Sequence, residues 1–237
     1  DHVTAAVKIQ AKAARARLLA FAPVQLKLFG EGWIIDSVEQ PLPPLVLNGL
    51  AISGRYDRLD RHRDGKTWRV FDYKTFSEAK NPEKTHLGKA DAAAPFTSRL
   101  AKRKADGSRG EEQIRRWKDL QLPVYYHALA STLPDVPGSP GERPRLDLGY
   151  LCLPAKAKRT GAEIWQNYAE DFQPAARAVL EAVTVVNEPV FGVVEPIAGG
   201  EANRFVNPVP ETVLVADKVV NAPVFGAVPP IAGGEAR

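Results

Sequence analysis

The sequence predicts an α/β fold in which helices are layered on a central, mixed, four-stranded sheet. Three observations carry that expectation. Apolar residues recur at helical spacing in three separated segments. Between them lie short runs of alternating polarity. Two of these runs are joined by Asp64-Gly65, a strong signal for a two-residue hairpin turn. The expected order is helix, three strands, helix, strand, helix.

The first helix spans about Val3 to Phe21 of the alanine-rich opening, and Pro23 breaks or restarts it. "GWIIDSVEQPL" reads as a strand with Trp33, Ile35 and Ser37 on one face, and Ile34, Asp36 and Val38 on the other. Glu39 closes it on the Trp33 side. The hairpin strands follow, from about Leu50 to Arg61 and from Thr67 to Thr75. Residues 76–112 have no clear period, and "RLAKRKADGSRGEE" within them reads as a long, polar, mobile loop. "EQIRRWKDLQLPVYYHALAST" reads as helical, with Pro123 either kinking it or sitting in the first turn of a helix that starts near Asp119. "RPRLDLGYLCLPA" is the fourth strand and "NYAEDFQPAARAVLEAVTVV" the last helix, with Pro174 at a start or bend. Residues 1–184 are the expected domain, its sheet core at about 26–153. Residues 185–237 are a tail in which "VVNEPVFGVVEPIAGGEA" at 185–202 returns at 219–236 with three changes. Two copies are too few for a solenoid, so a local duplication is the simpler reading.

Composition narrows the function classes. A chain of 237 residues with 44% hydrophobic and 25% charged residues is ordinary for a soluble globular protein. The net charge of +4 permits a polyanionic partner without requiring one. One cysteine, Cys152, excludes an internal disulfide framework, a cysteine zinc site and a cysteine-ligated iron–sulfur cluster, and fits a reducing compartment. No apolar run approaches the roughly 20 residues of a membrane helix. The chain starts at Asp1 and contains no methionine, so it reads as a piece of a longer protein with an upstream region.

The chemistry concentrates in "RVFDYKTF". Alternation along a strand puts Asp72 and Lys74 on one face, and Phe71 and Tyr73 on the other, where the aromatic face reads as core. Around an Asp64-Gly65 turn, paired residue numbers sum to 129, so Asp60 meets Arg69 as an ion pair. The same register puts Asp57 opposite Asp72, and Arg55 opposite Lys74. Like charges so opposed destabilise a hairpin, which suggests that something binds there. Two acids beside a lysine fit a divalent-metal site. Mg²⁺ takes oxygen ligands, commonly one or two carboxylates. Lys74 could orient or deprotonate a water and offset charge developing on phosphorus.

"GRYDRLDRHRDG…VFDYKT" followed by "DLQLPVYYHAL" resembles the PD-(D/E)XK nuclease superfamily. More narrowly it is similar to the RecB-like branch, as in the C-terminal nuclease domains of RecB and AddB helicase–nucleases. The similarity spans about Leu26 to Leu153 and implies a restriction-endonuclease-like core. Asp57 and the tripeptide Asp72-Tyr73-Lys74 match its acid and D-x-K elements. Gln121 and Tyr125 match the Q-x-x-x-Y motif, and Glu39 an acidic position after the first strand. The branch usually carries a histidine ahead of the first strand, and here only His2 precedes Glu39. Some relatives carry a four-cysteine iron–sulfur cluster, which a chain with one cysteine does not.

The resemblance implies a Mg²⁺- (or Mn²⁺-) dependent DNA nuclease, exo- or endonuclease undecided, from a cytoplasmic, bacterial-type repair or recombination helicase–nuclease. Asp57 and Asp72 would hold metal, with Glu39 and the Tyr73 carbonyl as further ligands. Lys74 would activate water, while Gln121 and Tyr125 order the site. The partners would be DNA, single-stranded or with free ends, and a helicase subunit or upstream domain. Lys102, Arg103, Lys104 and Arg109 are candidates to hold the phosphate backbone. The alternative is a nuclease-fold module with an incomplete site that binds nucleic acid or scaffolds a partner. His62, His86 and His127 read as surface or loop histidines, and Trp33, Trp68, Trp117 and Trp165 as core or partly buried.

Overall fold

The alanine-rich opening forms one helix, α1 (Ala5–Gly30), with Thr4 as its N-cap. Pro23 lies inside it and does not end it as expected. The missing backbone donor costs a helical hydrogen bond. Packing on both sides of the proline offsets that cost, since Phe21, Val24 and Leu28 join Trp33, Phe71, Leu151 and Leu153 in one cluster. The computed structural model describes residues 4–75, 80–90, 94–104 and 106–186, so the tail repeat lies outside the described residues.

After α1 come β1 (Trp33–Pro41), a small hairpin of β2 (Leu45–Leu47) and β3 (Leu50–Ile52), then β4 (Arg55–His62) and β5 (Thr67–Lys74). The strand expected over Leu50 to Arg61 is therefore two strands. Gly65 takes the turn with φ +70, and a side chain there would strike Pro137. The register follows the predicted sum, Leu59 facing Val70 and Asp60 facing Arg69. Asp60 nonetheless pairs with Arg58, its neighbour on the same face, at 2.6 Å. Arg69 instead reaches Asp147 and stacks over Trp33.

Residues expected to be an open loop form structure. The helix α2 (Pro82–His86) leads into β6 (Leu87–Lys89), β7 (Thr97–Arg103) and β8 (Arg109–Trp117), a three-stranded antiparallel sheet. Only a few of their side chains, such as Leu87, Leu100 and Trp117, are buried, so no period of two stands out in the sequence. Residues Gln113 to Trp117, read as helical, are strand because pairing with β6 and β7 overrides local propensity. The helix proper, α3 (Gln121–Leu129), starts at Gln121, with Pro123 in its first turn.

The chain closes with β9 (Arg145–Cys152), β10 (Gly161–Trp165), a π-helical turn at Tyr168–Phe172 and α4 (Gln173–Val186). The main sheet runs β1-β4-β5-β9-β10, with β5 and β9 parallel and the other pairs antiparallel. The fold class is the expected one, a mixed sheet between helices, with five strands rather than four. The extra strand, "GAEIW", is too short to announce itself. One sheet face packs on α1. The other, with the larger core, packs under α3, the π-helical turn and α4, and includes Trp68, Trp117 and Trp165.

Gly149 sets the closeness of that packing, because it pairs with both Phe71 and Ile164. A Cβ there would lie 2.8 Å from the Phe71 ring and 3.0 Å from the Glu163 carbonyl. Gly149→Ala is expected to cost about 1–3 kcal/mol in urea unfolding by overpacking. Gly161→Ala, with open space around it, serves as the neutral control. Equal stability of the two variants would contradict this packing.

Candidate active site

The alternation of β5 buries an acid and a base. Phe71 turns toward α1, while Asp72 and Lys74 turn toward α3, where they are only 2% and 8% exposed. Tyr73 points the other way but is not core, being 37% exposed with the edge of Phe21 and the Arg58 guanidinium beside it. The sheet outlasts its α1 cover at that point.

Asp57 and Asp72 do not face each other as a ladder pair. The β4–β5 register runs from Arg61–Trp68 to Arg58–Phe71, while β5 continues along β9 as far as Lys74–Cys152. Freed from the ladder, Asp57 accepts the Tyr73 backbone N–H at 2.7 Å. The two carboxylates still repel: Asp57 is among the groups that push Asp72 up. Arg55 is likewise not set against Lys74, and its carbonyl accepts the Tyr125 hydroxyl at 2.9 Å.

Gln121 joins the parts. Its Oε1 accepts Lys74 Nζ at 2.9 Å, and its Nε2 donates to Asp72 Oδ1 at 2.7 Å and to the Tyr125 hydroxyl at 3.1 Å. The four-residue spacing of Gln121 and Tyr125 makes this possible, since both project from one face of α3. Asp119 Oδ1 accepts the Gln121 backbone N–H at 2.8 Å and anchors the helix start. The site residues Asp57, Asp72, Lys74, Gln121 and Tyr125 thus form one linked cluster. Glu39 stands beside it: the pairs Val38–Arg58 and Gln40–Tyr56 bracket Glu39 and Asp57. Its backbone is left-handed (φ +50), its side chain is exposed, and among the described residues its carboxylate bonds none of the cluster.

Burial dominates the electrostatics. It pushes Asp72 up to about 6 against the attraction of Lys74, and it raises Asp57 against the Tyr73 hydrogen bond. Tyr125 is driven well above the ordinary tyrosine range, chiefly by burial, and stays a neutral phenol. Lys74 Nζ lies 2.7 Å from Asp72 Oδ2, yet that buried oxygen has no hydrogen bond of acceptable geometry. The contact is an off-axis ion pair, and we read it as leaving acceptor capacity at Oδ2. Two carboxylates and the Tyr73 carbonyl are hard oxygen donors, so the residues fit Mg²⁺ or Mn²⁺. Among the described residues no group of three or more His, Cys, Asp or Glu side chains is arranged around a metal position. A metal here would rely on waters and substrate for its other ligands.

Sequence reading missed a second ring of residues. His86 is fully buried and not a surface or loop histidine. Its Nδ1 bonds the Asp119 carbonyl at 2.8 Å, so that nitrogen carries the proton, and Nε2 accepts the Tyr150 hydroxyl at 2.7 Å. The Tyr150 ring lies 5.2 Å from Lys74 Nζ. Burial lowers the His86 pKa and keeps it neutral. A lone histidine after a polar stretch gave no period by which to find it. Of the basic candidates, Arg103 is held by Glu170 and Asp171, while Lys104 and Arg109 are exposed near the turn of the β7–β8 hairpin and Lys102 lies within β7.

The family model of the PD-(D/E)XK nuclease superfamily matches residues 2–202. That is most of the chain, which therefore belongs to this superfamily. A search of curated proteins finds no match.

The raised Asp72 gives a direct check. In metal-free protein, ¹³C NMR of its carboxyl carbon should titrate near pH 6, and Mg²⁺ should move the midpoint down by competing with the proton. A midpoint in the ordinary aspartate range, or one indifferent to Mg²⁺, would contradict this electrostatic account.

Proposed function

We propose that this superfamily member is a metal-dependent deoxyribonuclease of the RecB-like branch, residues 1–184 being its nuclease domain and 185–237 a tail. The observation that carries the reading is Gln121 bridging a buried Asp72 and Lys74, with Asp57 alongside. This joins the D-x-K and Q-x-x-x-Y elements in one hydrogen-bonded unit, as the resemblance to that branch implies. The activity would serve a DNA repair or recombination helicase–nuclease in a bacterial-type cytoplasm, acting on single-stranded DNA or DNA ends. No helix among the described residues is long and apolar enough to cross a membrane.

Asp57 and Asp72 would hold Mg²⁺ or Mn²⁺, with the Tyr73 carbonyl and Glu39 as further ligands. When bound, the metal supplies Lewis-acid polarisation of the phosphate and acidifies water. The chain's own residues do the rest. Lys74, held between Asp72 and Gln121, presents an ammonium where negative charge grows on the phosphate, and it orients the attacking water. Gln121 keeps Lys74 and Asp72 at fixed separation. Tyr125, bonded to the Arg55 carbonyl, fixes the Gln121 amide. A second reading, a fold that binds nucleic acid or scaffolds a partner without cutting, is favoured by the lack of a three-ligand cluster among the described residues.

Single-turnover hydrolysis of labelled single-stranded DNA in Mg²⁺ separates them. Lys74→Ala should keep metal and DNA affinity while the rate falls by about 10²–10⁴, the worth of a positioned proton-handling or charge-stabilising group. Asp72→Ala should lose metal binding and cleavage together. Cleavage by Lys74→Ala at the wild-type rate, or none by wild type, would hand the case to the scaffold.

A further inference from the structure

One cluster of charge lies outside the residues assigned above. A cavity of about 440 Å³ is lined by Lys80, Asn81, Lys84, Thr85 and Lys118. Three of the five are lysines and none is acidic. Among the described residues, neither Lys84 nor Lys118 has a carboxylate partner: the Lys118 ammonium donates instead to the Lys84 carbonyl at 3.0 Å. The nearby Glu83 turns away to Arg115.

The lysines are brought together by construction. Asn81 accepts the Lys84 backbone N–H, and the Thr85 hydroxyl donates to the Asn81 carbonyl. The Lys118 backbone N–H donates to the His86 carbonyl at 2.8 Å. The stem of Lys118 lies across Gly88, where a Cβ would come within 3.1 Å of it. Holding the Lys84 and Lys118 charges beside one cavity costs free energy that an anion would relieve.

The cavity is also fastened to the catalytic cluster. Thr85 and Lys118 flank His86 and Asp119, which bond each other. From His86 the chain of neighbours passes to Tyr150 and the Lys74 ammonium, and from Asp119 to Gln121. The Lys80 backbone bonds the Cys152 sulfur, and Cys152 pairs with Lys74 across β5 and β9.

We infer that Lys84 and Lys118, with Lys80 lining the same cavity, form an anion site that holds a backbone phosphate of the bound nucleic-acid strand. It rests on the nuclease reading for its ligand and supplies that reading with a register device. Lysine suits this role as a compact charge that grips phosphate without reading bases.

The test uses the whole chain in EDTA, where no cleavage occurs, with a fluorescein-labelled single-stranded oligonucleotide titrated at several salt concentrations. Lys84→Gln/Lys118→Gln should bind more weakly, and the slope of log K against log salt should flatten by about 0.7 for each phosphate no longer held. Lys12→Gln, an exposed lysine on α1, should change neither. In parallel, ¹³Cε NMR of Lys84 and Lys118 should shift with the oligonucleotide and far less with inorganic phosphate alone. An unchanged slope, or lysine signals unmoved by the strand, would return these residues to solvated surface. Equal response to free phosphate would overturn the strand assignment, and no binding of either ligand would overturn the site. The two readings fail separately. A flattened slope with no Mg²⁺-dependent cleavage by wild type keeps the anion site and removes the nuclease, while cleavage with an unchanged slope does the reverse.

Discussion

A lysine and an aspartate buried two residues apart on one strand would be costly without an arrangement that satisfies both. The Gln121 carboxamide supplies it. It donates to one charged partner and accepts from the other: its oxygen takes the Lys74 ammonium and its nitrogen the Asp72 carboxylate. An ion pair alone would leave the remaining donors and acceptors in a low dielectric, where each unmade hydrogen bond costs on the order of 1–3 kcal/mol. The start of α3 at Gln121, its Asp119 anchor and the Tyr125 hydroxyl all follow as means of keeping that amide in one orientation.

The same hairpin carries a second buried charge set on its other face. Arg58 forks onto Asp60 and reaches Gln25 of α1 at 2.6 Å, so its bonds are made within the protein. That pair ties α1 to the sheet. Asp72 differs, because its Oδ2 meets only the Lys74 ammonium, at 2.7 Å, and burial raises its pKa to about 6. The Arg58–Asp60 pair is a closed structural unit, whereas we read the Asp72 site as retaining capacity for a cation. Perturbation by burial beside a specific charge partner is the pattern expected of a functional group.

Much of this was legible in the sequence where local rules act. The Asp64-Gly65 turn set the β4–β5 register, and alternation put Asp72 and Lys74 on one face. The four-residue spacing brought Gln121 and Tyr125 to one side of α3. What failed depended on distant partners. Thr97–Arg103 and Arg109–Trp117 carry charges along both faces, so only their pairing with each other and with β6 makes them strands. Pro23 was read as a helix end because the core under Phe21 and Leu28 cannot be seen locally. Asp57 leaves its register position because Tyr73 offers a backbone donor, and the sum rule carries no information about where a ladder ends. His86 was invisible for the same reason: its partners, Asp119 and Tyr150, are 33 and 64 residues away.

The central claim is that Asp72 and its neighbours hold a divalent metal in the folded protein. Thermal unfolding with and without Mn²⁺ tests it most directly, comparing wild type with Asp72→Asn. A ligand that binds only the folded state stabilises by about 2.7 kcal/mol at 100 times its Kd. For a domain of this size that raises Tm by roughly 5–10 °C. The account predicts that rise in wild type and none in Asp72→Asn. An equal rise in both proteins, or none in wild type, would contradict it.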